Sequence, residues 1–103
     1  METRLQKTYR YYNRRYFGNS LPNPPVVKVK WGDLPASYMG LQHGDEITIS
    51  RKYRDTSSLW RGTLIHEMQH LALDDFVTRS DHGKEFQAGM LRLAKLGAFR
   101  FIW

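Results

Sequence analysis

Residues Thr63 to His70, TLIHEMQH, place two histidines four positions apart with a glutamate directly after the first. On an α-helix of 3.6 residues per turn, positions 59, 63, 66, 70 and 73 share one face, so His66 and His70 project side by side one turn apart. Trp60, Leu64, Met68 and Leu71 form the neighbouring apolar face. That pattern predicts a helix from Ser58 to Leu73, buried along one side, that holds the histidines beside the core. Glu67 is turned by about 100° from His66, badly placed to ligate beside both histidines but able to reach a water on the same metal. The chemistry expected is that of zinc. Three protein ligands and an open fourth position lower the pKa of a bound water to about 7, and a nearby carboxylate accepts its proton. The competing reading is a histidine pair satisfied at a core edge, with Glu67 a surface helix former.

A third ligand is needed, and with no cysteine in the chain it must be His, Asp or Glu. His82 is the strongest candidate. It sits at the expected start of a third helix, after the connection DDFVTRSD, and Gly83 beside it permits close backbone approach. Phe86, Met90 and Leu93 repeat at helical spacing, so this helix can dock on the core and carry His82 to the first two ligands. Asp74 and Asp75 are acceptable ligands chemically but lie close to His70 for the chain to swing round.

Outward from this centre the chain reads as one small domain of 103 residues. Leu5, Tyr9, Tyr12 and Tyr16 recur at helical spacing before Gly18, which predicts a first helix over residues 3 to 17. NSLPNPP cannot continue a helix and reads as a connector. VVKVKW, SYMGLQH and EITIS read as three short strands, the last two a hairpin across Gly44-Asp45. Asp55, Thr56 and Ser57 offer caps for the histidine helix, and Ser80 or Asp81 for a third that ends near Gly97. The apolar AFRFIW should pack back on the domain. The fold class expected is therefore α+β: N-terminal helix, three-stranded sheet, HExxH helix, C-terminal helix. The lack of cysteine excludes disulfides and a thiolate nucleophile. No apolar run is long enough to span a membrane, and the charged, aromatic N-terminus is not a signal peptide, so the expectation is a soluble, cytoplasmic monomer.

IHEMQH followed by HGKEF resembles the HExxH and HGxxF elements of SprT-like zinc metallopeptidases, small gluzincin-type domains of the kind found in Spartan proteases that digest DNA-crosslinked proteins. Upstream, YNRRYFGNSLP is similar to that family's helix-end motif, and EITIS to its strand before the active-site helix, so the resemblance covers nearly the whole chain. It implies a zincin-like fold and a peptidase acting on protein or peptide substrates, with Zn2+ held by His66, His70 and His82 and Glu67 as catalytic base. Many relatives append a cysteine-rich module. These 103 residues contain none, so the likeness is to the catalytic core. In zincin-like enzymes an edge strand commonly binds the substrate as an added strand, and SYMGLQH or EITIS would be that strand here.

A peptidase also needs a donor to the developing oxyanion, for which Tyr38, His43 and Arg79 are candidates, although His43 reads better as an exposed turn residue before Gly44 than as a catalytic one. The net charge of +6 favours polyanionic partners. Lys7, Arg10 and Arg14 form a stripe opposite the tyrosine face of the first helix, with Arg4, Tyr11 and Arg15 on a flank, and RKYR at 51 to 54 adds a second cluster. Such a stripe can contact DNA phosphates, or it can be a solvated face. A non-catalytic, zinc-stabilised nucleic-acid-binding module is thus the alternative function.

Overall fold

A computed structural model describes residues 2–73 and 84–99. The order is α1 (Arg4–Tyr16), β1 (Lys28–Gly32), β2 (Gly40–His43), β3 (Glu46–Ser50), a 3₁₀ turn (Arg51–Tyr53), α2 (Ser57–Ala72) and α3 (Lys84–Lys95). This is the expected α+β architecture of three helices and a three-stranded sheet.

α1 starts at a capping box: the Thr3 hydroxyl accepts the Gln6 N–H at 3.1 Å and the Gln6 side chain accepts the Thr3 N–H at 2.9 Å. It stops where Gly18 and Asn19 both take positive φ, 59° and 60°. Its stripe of Leu5, Tyr9, Tyr12 and Tyr16 is buried, as the spacing predicts. One polar residue goes inside with them. Asn13 is fully buried, donating to the Leu21 carbonyl at 2.8 Å and to the Asn23 side chain at 3.1 Å while accepting the Leu21 N–H at 3.1 Å. With the Tyr9 hydroxyl donating to the Pro22 carbonyl at 2.6 Å, it fastens the NSLPNPP connector back onto the helix.

The strand order is β1-β3-β2, with β3 parallel to β1 and antiparallel to β2. The β2–β3 hairpin is the expected one, turning through Gly44 at φ 56°. EITIS is central and already paired on both sides, which leaves β2 as the exposed edge on the α2 side. Val29, Ile47 and Ile49 face the core, while Lys30 pairs with Glu46 at 3.0 Å on the solvent face.

α2 is the central element. Trp60, Leu64, Met68 and Leu71 are buried as expected, but so are Ile65, Glu67 and Gln69, because the helix is wedged between the sheet and α3. Thr56 is its N-cap residue, though its side chain makes no capping bond. α3 ends in a Schellman turn, with Gly97 at φ 88°, the Gly97 N–H on the Ala94 carbonyl at 3.0 Å and the Ala98 N–H on the Leu93 carbonyl at 3.0 Å. That turn sends Ala98 and Phe99 into the core, so the terminal apolar stretch does pack back as far as it is described. Arg92 on α3 ties to α1 by donating to the Tyr16 carbonyl at 2.9 Å.

Candidate active site

α2 and the edge strand β2 enclose a cleft of about 690 Å³, lined on one side by Leu59, Thr63, His66, Glu67 and His70 and on the other by Tyr38 to Gln42. The helical spacing brings the two imidazoles together as expected, with ring centroids 4.9 Å apart and planes at 72°. Phe86, from the first turn of α3, packs on both: stacked on His70 at 4.3 Å and edge-on to His66 at 5.0 Å. The sequence marks Phe86 as a core residue. Its position against the histidine pair depends on how α3 crosses α2, which no local pattern encodes.

Glu67 is only 7% exposed, which removes the reading of a surface helix former. Burial pushes its carboxyl up to about 7, with a hydrogen bond from the Gln42 main-chain N–H acting the other way. The Gln42 interaction follows from strand register. Ser50 N–H donates to the Met39 carbonyl at 2.8 Å, so Met39, Leu41 and His43 face β3 with their main-chain groups, and those of Gly40 and Gln42 point outward from the sheet edge. Gly40 is what lets strand and helix approach: a Cβ there would stand 2.6 Å from Thr63 Cγ2 and 3.2 Å from Glu67 Cγ.

Tyr38 lines the cleft and is 48% exposed. His43 stands exposed opposite Glu46 at the far end of β2 and is not among the cleft-lining residues. His82, Arg79, Asp74 and Asp75 lie outside the described residues. Among the described residues no group of three His, Asp or Glu side chains converges as a metal site. What the described residues assemble is a pair of imidazoles and a buried carboxyl with raised proton affinity on one wall of the cleft.

The stripe on α1 is not uniform. Arg10 is held by the Glu2 carboxylate and the Pro24 carbonyl, and Arg14 lies over the Tyr11 ring at 5.7 Å. Lys7 instead shares a shallow notch with Arg4, Thr8, Tyr11, Tyr12 and Arg61.

No helix of the described residues is long and apolar enough to cross a membrane. No curated protein shows significant similarity to the chain. A model of the SprT-like family matches residues 5–101, a span that takes in the sheet, the histidine helix and the helix that covers it. The chain belongs to the SprT-like family.

Proposed function

We propose that the chain is a zinc-dependent metallopeptidase whose 103 residues act as one catalytic domain on protein or peptide substrates. The observation that carries this reading is the Glu67 carboxyl, buried on the cleft wall beside the paired imidazoles of His66 and His70. A carboxylate is left in so costly a place where its proton affinity is used. His66 and His70 would hold the zinc with His82 as third ligand, and the paired imidazoles fit that role. Zinc, when bound, supplies Lewis-acid polarisation and a water acidic at neutral pH.

The chain's own residues do the rest. An extended substrate lies along β2, where the outward main-chain groups of Gly40 and the Gln42 carbonyl can pair with it. Glu67 accepts a proton from the attacking water as its oxygen adds to the scissile carbonyl carbon, then returns that proton to the departing amide nitrogen as the C–N bond breaks. The Gln42 N–H fixes which carboxylate oxygen faces the cleft. Phe86 holds both imidazole planes and keeps water off their outer faces.

The test is Glu67→Gln, which keeps the side chain's shape and removes its basicity. Zinc content should remain at about one per chain by elemental analysis while peptide hydrolysis falls by about 10²-fold to 10⁴-fold. Unchanged hydrolysis would exclude Glu67 as base. A second reading, that the basic face touches nucleic acid, is favoured by the notch in which Arg4, Lys7 and Arg61 come together with no carboxylate in the lining. It does not compete with the first, because the notch and the cleft share no residue.

A further inference from the structure

The cleft has two ends of different chemistry. Toward one, Gln42 donates to Glu67, which lies beside His66 and His70; the lining away from it comes from Tyr38 and Met39, just before β2, and from Ser58, Leu59 and Gly62 on the first turns of α2. Gly40 marks the crossing between the two ends, close against both Thr63 and Glu67. Of the eight large apolar side chains exposed among the described residues, four line this one cleft: Tyr38, Met39, Leu41 and Leu59. Single apolar residues scattered on a surface need no explanation, but half of them gathered around one cleft, on both of its walls, mark a site for apolar groups. No Lys, Arg, Asp or Glu lines the apolar end, so its occupant is uncharged.

We infer that Leu59, with Tyr38 and Met39, forms a subsite that anchors a large aliphatic or aromatic side chain of an unfolded polypeptide, three or four residues from the bond that is cut. The inference rests on the metallopeptidase reading above and adds the substrate class. Leu59 precedes Glu67 by eight positions on the same helix, a rise of about 12 Å. An extended peptide at about 3.3 Å per residue covers that distance in three to four residues. The occupant is extended because the outward-facing main chain of β2 accepts a strand, and a strand turns every second side chain toward the α2 wall. Folded proteins keep extended segments with large apolar side chains inside, so the subsite distinguishes unfolded chains from folded ones.

The zinc-loaded protein is offered a reduced, alkylated and therefore unfolded polypeptide, and the cut sites are mapped by mass spectrometry. Leu, Ile, Met, Phe or Tyr should be enriched severalfold at one position three or four residues from the cut. Leu59→Lys, which places a charge at a position already 39% exposed, should erase that enrichment and raise KM for a leucine-containing peptide by about tenfold, more than it lowers kcat. Cut sites without the enrichment, or the same enrichment in Leu59→Lys, would overturn the subsite and leave the peptidase reading standing. If the protein cuts nothing, the peptidase reading fails and the subsite is tested by fluorescence anisotropy alone. A labelled extended peptide with one leucine should then bind about tenfold more tightly than its serine counterpart, a difference that disappears in Leu59→Lys. Equal affinities for the two peptides overturn it. A circular dichroism spectrum matching the parent's establishes that the variant is folded.

Discussion

Two buried polar side chains, one on each of the longer helices, are treated in opposite ways. Asn13 on α1 is sealed from water and makes three hydrogen bonds, two of them to the main chain of Leu21. Glu67 on α2 is almost as deeply buried, and the upward push of burial on its pKa is opposed by one main-chain N–H, that of Gln42. The first arrangement stabilises a neutral amide by giving its polar atoms partners, and its product is a fixed connector. In the second, burial outweighs the one hydrogen bond from Gln42 and raises the proton affinity of the carboxyl, which is what the proposed base requires. Burial alone does not distinguish these two side chains; the supply of hydrogen bonds does.

The sharpest way to break the contrast is to neutralise both groups. Glu67→Gln should lower hydrolysis by about 10²-fold to 10⁴-fold with the fold intact, as a peptidase assay beside a circular dichroism spectrum would measure. Asn13→Ala should do the reverse. It orphans the Leu21 N–H and carbonyl, so urea unfolding should show a loss of about 2–4 kcal/mol, while the zinc-loaded protein that remains folded keeps most of its kcat. A large fall in kcat without loss of stability would place Asn13 in the chemistry and undo the comparison.

Acidity sharpens it further. Glu67 is raised from 4.5 to about 7 in the folded, metal-free protein, so between those values the folded state keeps a proton that the unfolded chain has released. Stability therefore falls as pH rises through this window, by an amount on the order of 3 kcal/mol for such a shift. Histidines titrate in the same range, so the quantity to read is the difference between parent and Glu67→Gln. The metal-free parent should lose stability relative to the variant from about pH 5 to about pH 8, measured by urea midpoints. Parallel profiles would show that the carboxyl is not strained by burial.

The smallest effect concerns α1's outer face, which lies outside the contrast and should leave it untouched. Replacing Arg4 and Lys7 with Gln should change stability by less than about 0.5 kcal/mol. If the notch holds phosphates, the same change should flatten the log-log salt dependence of single-stranded DNA binding by about 0.7 for each phosphate no longer neutralised. Equal slopes would make the notch a solvated surface. Arg10→Gln should cost more stability than either, since its guanidinium already joins Glu2 to Pro24.

How much of this was legible in the sequence follows the range of each interaction. The tyrosine stripe of α1, the hairpin at Gly44 and the His66–His70 pair are set by periodicity within a few residues, and the spacing alone predicts them. The parallel pairing of β1 with β3 joins strands separated by another strand, and nothing local specifies it. The same limit hides Phe86 on the histidines. Glu67's hydrogen bond is hidden for a different reason: it comes from a main-chain N–H, which every residue but proline carries. Asn13 reads as a polar residue on a helix, and only the connector that returns over it makes it a core residue. Charge is the least legible of all, since Arg10 and Lys7 look alike in the stripe yet one is engaged and the other faces an open notch.

The tie from Arg92 to the Tyr16 carbonyl joins positions 76 apart and sets an order in time as well as in space. A chain made from its N-terminus presents α1, the sheet and α2, with both of its histidines, before α3 has been synthesised. Until α3 arrives, Phe86 cannot stack on the imidazoles and Arg92 cannot tie to Tyr16. The nascent polypeptide is itself an extended, apolar-rich chain, the substrate class inferred for the cleft. Under the peptidase reading, a growing chain would therefore meet an incomplete cleft until α3 has packed against α2.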